Sequence, residues 1–158
     1  MPLPNIQLTT SSGETYPLSR YQGYEILVVN TASQCGLRDQ LTDLEDLYQT
    51  YKNHNFVVLG FPSNQFKQEP ISNGDMEAHC QVNFGVTFPL HQTCHVNGSK
   101  THPLFAWLKE QAGGLVTSSI KWNFTKFLIH PDGDQVKRFS PKHDPKSMIE
   151  EIEAWLPK

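Results

Sequence analysis

Two stretches of the chain are almost continuously apolar, Tyr24-Glu25-Ile26-Leu27-Val28-Val29-Asn30 and Asn55-Phe56-Val57-Val58-Leu59-Gly60-Phe61. That pattern, without polar alternation, predicts strands covered on both faces. Between them Leu37, Leu41, Leu44, Leu47, Tyr48 and Tyr51 fall at steps of 4, 3, 3, 1 and 3, which keeps them on one side of a helix. Strand, helix and strand then form a right-handed βαβ unit with parallel strands. Upstream, residues 6–16 alternate loosely around Thr10-Ser11-Ser12-Gly13 and predict a hairpin laid over the domain. Downstream, residues 72–84 predict a short helix with Met76, Cys80 and Phe84 on one stripe, stopped by Gly85. Asn73, Gly74, His79 and Asn83 give that helix poor propensity and its narrow stripe gives it little burial. Residues 101–112 predict an amphipathic helix with Thr101 as cap, Pro103 in the first turn and Gly113-Gly114 after its end. Residues 124–130 and 135–139 flank Pro131-Asp132-Gly133-Asp134, an antiparallel hairpin signal. Asp144 caps a last helix with Pro145 at its first position and Met148, Ile149, Ile152, Trp155 and Leu156 facing inward.

This order is that of an α/β protein with a thioredoxin-like fold: a central mixed sheet flanked by helices, an N-terminal hairpin, and a helix inserted between the second central strand and the third helix. The length of 158 residues, with 37% hydrophobic residues and no repeat or linker, fits one domain over residues 1–158. A net charge of −3 gives no support for nucleic acid or an anionic membrane as an obligatory partner. Met1-Pro2-Leu3-Pro4-Asn5 lacks the features of a signal peptide, and no run of roughly 18 apolar residues occurs, so the expected compartment is the cytoplasm.

The first central strand breaks off into Thr31-Ala32-Ser33-Gln34-Cys35-Gly36-Leu37. A cysteine at a strand-to-helix junction meets unpaired N–H groups and the positive end of the helix dipole, which favour thiolate and make the sulfur nucleophilic. Cys35, Cys80 and Cys94 are an odd set without disulfide-scaffold spacing and are expected as thiols in a reducing compartment. His91, Cys94 and His95, with His79 and Cys80, lack the paired spacing of a structural zinc motif, so no metal is expected. Lys100, Lys121, Lys126, Lys137, Arg138 and Lys142 are read as a solvated basic face.

Four ordered blocks carry a resemblance: residues 30–37, residues 61–66 with Gln68-Glu69-Pro70, residues 80–89, and residues 121–128. In them the chain resembles the glutathione peroxidases, in the cysteine-containing, thioredoxin-dependent, phospholipid-hydroperoxide type. The resemblance implies that Cys35 is the peroxidatic residue, that Gln65, Trp122 and Asn123 complete a catalytic tetrad, and that Cys80 is the resolving cysteine. It implies reduction of hydrogen peroxide and organic or lipid hydroperoxides in the response to oxidative stress, no bound cofactor, thioredoxin as reductant, and a monomer or weak dimer. Two alternatives stay open: a one-cysteine peroxidase resolved by glutathione, and a peroxide sensor that relays oxidation to a partner protein. Gln65, Asn123 and the Trp122 indole are neutral donors, able to stabilise both the sulfur anion and the departing oxygen without titrating. Cys80 lies 45 positions from Cys35 (80 − 35), so residues 72–84 are expected to open locally for the two to join. The chain departs from the family pattern at Arg38, at Ser63, where many relatives have cysteine, and at Lys67, where glycine is usual.

Overall fold

In a computed structural model of the chain, residues 3–67, 69, 71–112 and 119–157 are described. The two apolar runs form β3 (Glu25–Thr31) and β4 (Phe56–Pro62), paired in parallel from Glu25 opposite Phe56 to Thr31 opposite Pro62. Their chain link is α1 (Gln40–Tyr51), so the predicted βαβ unit is present. The hairpin strands β5 (Lys126–Ile129) and β6 (Val136–Phe139) add antiparallel, giving the four-stranded order β4-β3-β5-β6. β1 (Gln7–Thr9) and β2 (Thr15–Pro17) form the separate N-terminal hairpin.

Alternation along β3 sends successive side chains to two cores. Leu27 and Val29 pack with Leu41, Leu44 and Leu47 of α1, with Met76 and Cys80 of α2 (Asn73–Phe84), and with Ile152 of α4 (Ile149–Trp155). Ile26 and Val28 pack on the opposite face with the hairpin residues Leu8 and Tyr16 and with Leu104, Phe105 and Leu108 of α3 (Pro103–Gln111). The free edge of β4 is covered by residues 89–91: Gly60 donates to the Pro89 carbonyl and the His91 N–H donates to Gly60. A side chain at Gly60 would stand 2.7 Å from Leu90, which is why glycine interrupts this strand.

Several ends differ from expectation. The cap of α3 is His102, whose Nδ1 accepts the Leu104 N–H, and not Thr101, whose hydroxyl instead donates to the Gly98 carbonyl. Gly113 and Gly114 lie outside the described residues. Asp144 does cap the last helical segment, but over a 3₁₀ turn (Pro145–Met148) that runs into α4, and this change of pitch leaves Ile149 exposed rather than facing the core.

Candidate active site

Register brings three separate segments to one edge of the sheet. Thr31 pairs with Pro62 in parallel, so Cys35 and Gln65 follow the same ends of their strands; Lys126 pairs with Val29 antiparallel, so Trp122 and Asn123 precede β5 at that same edge. Asn30 ties them. Its Nδ2 donates to the Trp122 carbonyl at 3.2 Å, its Oδ1 accepts the Thr125 N–H at 3.0 Å, and its own carbonyl accepts the Phe124 N–H at 2.6 Å. Phe124 holds a φ of 65° while fully buried, an uncommon conformation for an aromatic residue that these bonds and its packing maintain. The strained turn keeps Asn123 inside, also fully buried.

Cys35 is fully buried, and its sulfur accepts the Leu37 N–H at 3.4 Å. The helix does not begin there. Residues 35–42 follow i to i+3 turns (Arg38 N–H to Cys35, Gln40 to Leu37, Leu41 to Arg38), and α1 proper starts at Gln40. Gly36 is a poor helix former and Asp39 makes no side-chain cap, so the turns stay tighter than an α-helix. The donor offered to the sulfur is therefore a single turn N–H, not the end of a helix. Arg38 donates to the Cys35 carbonyl at 3.2 Å while its residue stays exposed.

Gln65 spends much of its carboxamide on a neighbouring loop: Oε1 accepts the Val96 and Asn97 N–H groups at 2.6 and 2.9 Å, and Nε2 donates to the Asn97 carbonyl at 2.8 Å. Those bonds fix its orientation and use one of the two Nε2 hydrogens. Trp122 is 38% exposed and packs against Phe66, ring centroids 5.3 Å apart. This contact joins the loop after β4 to the loop before β5. A cleft of about 240 Å³ beside Gln65 is lined by Asn64, Thr93, Cys94 and His95.

Cys80 lies in the same buried cluster as Cys35, with its thiol against the Met76 sulfur at 3.9 Å. Burial, with the Glu69 charge adding to it, pushes that thiol up to about 12. Cys94 is half-buried and desolvation pushes it up to about 12; all three cysteines are free thiols. His91 is no ligand partner for Cys94: it is buried between the Tyr16 hydroxyl at 2.5 Å and the Gly60 carbonyl at 3.0 Å, and burial lowers it to about 4, which keeps it neutral. Among the described residues the group of His, Cys, Asp or Glu with metal-ligand proximity is His130, Asp132 and Asp134, on the β5–β6 hairpin away from Cys35.

Two charged residues depart from the expected pattern. Lys126, assigned above to a basic face, is fully buried and donates to the carbonyls of Ser140, Pro141 and His143. Glu69 is 4% exposed; its Oε2 accepts the Ser33 N–H at 2.8 Å and its Oε1 the Ser33 hydroxyl at 2.6 Å, so it braces the loop carrying Cys35. No functional role for Glu69 was legible in the sequence beyond its place in the block Gln68-Glu69-Pro70, since a lone acid in a connector is ordinarily solvated.

A four-stranded mixed sheet with helices on both faces and a cysteine just past the first central strand defines a thioredoxin-like thiol protein. Comparison with known proteins agrees. A thioredoxin-family thiol:disulfide interchange protein from Chlorobium tepidum TLS superposes with a TM-score of 0.72 over 98% of this chain and 95% of its own, at 15% identity, a likeness of fold alone. The family model described as "Glutathione peroxidase" matches residues 4–109. The chain is 48% identical over 147 residues to a glutathione peroxidase homolog BsaA of Staphylococcus epidermidis (92% of this chain, 93% of that one), and 49% identical over 146 residues to a glutathione peroxidase of Lactococcus lactis subsp. cremoris, with the same shares. The crystal structure of T. cruzi GPX1 superposes with a TM-score of 0.76 at 34% identity, covering 95% of this chain and 93% of that one. The chain belongs to the glutathione peroxidase family.

Proposed function

We propose that the protein is a thiol peroxidase that reduces hydrogen peroxide and organic or lipid hydroperoxides through Cys35, with Cys80 resolving the product and thioredoxin restoring both thiols. The reading is carried by one observation: Cys35 shares a sheet edge with neutral donors on two other segments, Gln65 on one and Trp122 and Asn123 on the other, the latter fastened through Asn30. The Cys35 thiolate attacks one peroxide oxygen and the O–O bond breaks. The departing oxygen takes a proton and leaves as water or alcohol, while Cys35 becomes a sulfenic acid. Neutral amide and indole donors suit the charge that moves from sulfur to the leaving oxygen. The Cys80 sulfur then displaces the sulfenic hydroxyl, a disulfide forms, and the thiol proton leaves with that hydroxyl as water. A thioredoxin dithiol reduces the disulfide by exchange and is itself oxidised.

Both sulfurs start buried and Cys80 faces Met76, and in this reading α2 opens for the second step. Only Met76 and Cys80 of that helix are buried. Such a reaction fits a cytoplasmic monomer or weak dimer. Among the described residues no helix is long and apolar enough to cross a membrane. The test is Cys80→Ser: the variant should consume one equivalent of peroxide yet lose turnover coupled to thioredoxin, thioredoxin reductase and NADPH. Undiminished thioredoxin turnover overturns the resolving role, and turnover supported by glutathione alone assigns the reductant differently.

A further inference from the structure

The brace on Ser33 has a second end. The Glu69 Oε1 that accepts the Ser33 hydroxyl also accepts the Ile71 N–H at 3.2 Å, and the Glu69 N–H donates to Asn64 Oδ1 at 3.0 Å. Ile71 immediately precedes Ser72, the N-cap position of α2, whose hydroxyl donates to Asp75 and does not cap the helix. A buried carboxylate is costly unless its oxygens are well supplied with donors, and here three donors from two segments supply them. Among the described residues no cation pairs with it. The charge is therefore held by the very contact that joins the Cys35 loop to the lead-in of α2.

We propose that Glu69 is a latch for the resolving step, a positioning residue whose carboxylate fastens α2, and with it Cys80, to the loop of the peroxidatic cysteine until that cysteine is oxidised. The inference rests on the resolving role proposed for Cys80. The release follows from packing. Cys35 is fully buried within an apolar cluster, and protein interiors are close-packed, so the oxygen it gains as a sulfenic acid displaces the loop on which Ser33 sits two residues earlier. Moving Ser33 pulls two donors from the carboxylate at once. The carboxylate's remaining hold on Ile71 is one bond of 3.2 Å, and α2, fully buried only at Met76 and Cys80 with Ile71 and Phe84 half-buried against the same cluster, then opens at lower cost. While the latch is closed the Glu69 charge also disfavours a thiolate at Cys80, so the second thiol is kept unreactive until it is needed.

The test is residue-resolved labelling of the fully reduced protein by N-ethylmaleimide, read by mass spectrometry, with Cys94 as internal reference. Ser33→Ala removes one donor and keeps the charge; Cys80 labelling should rise about fivefold, the equilibrium weight of one hydrogen bond, with Cys94 unchanged. Glu69→Gln, nearly isosteric, should raise it more than tenfold and also shift the pH midpoint of Cys80 labelling downward, which Ser33→Ala should not. Hydrogen exchange over residues 73–84 should accelerate in both. Unchanged Cys80 labelling in both variants overturns the latch, as does a rise of Cys80 and Cys94 together, the mark of general loosening. If Glu69→Gln does not fold, Ser33→Ala decides alone. No peroxide or thioredoxin enters this measurement, so failure of the latch is distinct from failure of the resolving role, which Cys80→Ser turnover reads.

Discussion

The loop that carries Cys35 and the helix that carries Cys80 share one buried cluster but are held by different means. The Cys35 side is fastened by polar bonds between distant segments: Asn30 to residues 122–125, Glu69 to Ser33, and Gln65 to Val96 and Asn97. The Cys80 side is held by two buried side chains and the half-buried Phe84, with Val82 83% exposed and a few bonds at its ends, such as Asn73 Oδ1 accepting from Thr93. Buried hydrogen-bond networks with several members are costly to break singly and give a rigid geometry. A narrow apolar stripe with poor propensity gives an element that opens at low cost. The contrast matches what each half must do, since a site that stabilises moving charge has to be preorganised, whereas a second thiol has to travel.

The largest expected effect lies on the rigid side. Asn30→Ala removes the side chain that serves Trp122 and Thr125 and leaves the buried Thr125 N–H without its partner, which should cost about 2–4 kcal/mol in urea denaturation. Hydrogen exchange should rise over residues 122–125 more than over α2. The reverse order would dissolve the comparison.

Next comes Glu25, fully buried at the far end of β3, whose carboxylate oxygens have no hydrogen-bond partner. Burial pushes its carboxyl up to about 8, Lys137 only partly opposing. Between the ordinary value of 4.5 and about 8 the folded state keeps a proton that the unfolded chain has released, so stability falls as pH rises through that window and levels off above it. Glu25→Gln lacks this loss. Relative to the parent its stability should be flat below pH 4.5, improve as pH rises, and gain about 1–3 kcal/mol by pH 9. Cys80 labelling at pH 9 should match the parent's in this variant; slower labelling would mean that α2 opens only with the whole sheet.

The smallest effect sits on the connector between the two sides. Lys67 holds a φ of 58°, a left-handed conformation that an ordinary side chain adopts at a cost. This explains why glycine is usual there. Lys67→Gly should stabilise the chain by about 0.5–1 kcal/mol in urea denaturation and leave α2 exchange as it was. No account of the lysine itself emerges from its contacts.

Much of this was legible in residue order. Nearly continuous apolar runs of strand length, rich in valine, read as central strands, and the 3-and-4 spacing of leucines as one helix face, so β3, α1 and β4 followed directly. Cys80 on a weak helix followed too. Lys126 misled, because a lysine looks solvated in a sequence and becomes interior only where backbone carbonyls converge on it, and the burial of Glu69 between Ser33 and Ile71 carried no signal of its own. The start of α1 was misplaced because periodicity marks which side chains face inward but not where i to i+3 turns give way to a helix.

By itself the sequence determined the elements, the order in which they follow, and Cys35 as a reactive thiol, because burial periodicity and residue chemistry are properties of neighbours along the chain; Gln65, Cys80, Trp122 and Asn123 became candidates through the resemblance of its ordered blocks to the glutathione peroxidases. Only the tertiary structure decided that Cys35 is served by a turn N–H instead of a helix end, that Asn30 fastens the far segment beside it, and that one carboxylate joins both cysteine-bearing segments. Apart from the Cys35 turn and the local Glu69–Ile71 bond, those are contacts between residues 36 to 95 positions apart, and the fold alone brings such groups within hydrogen-bonding distance.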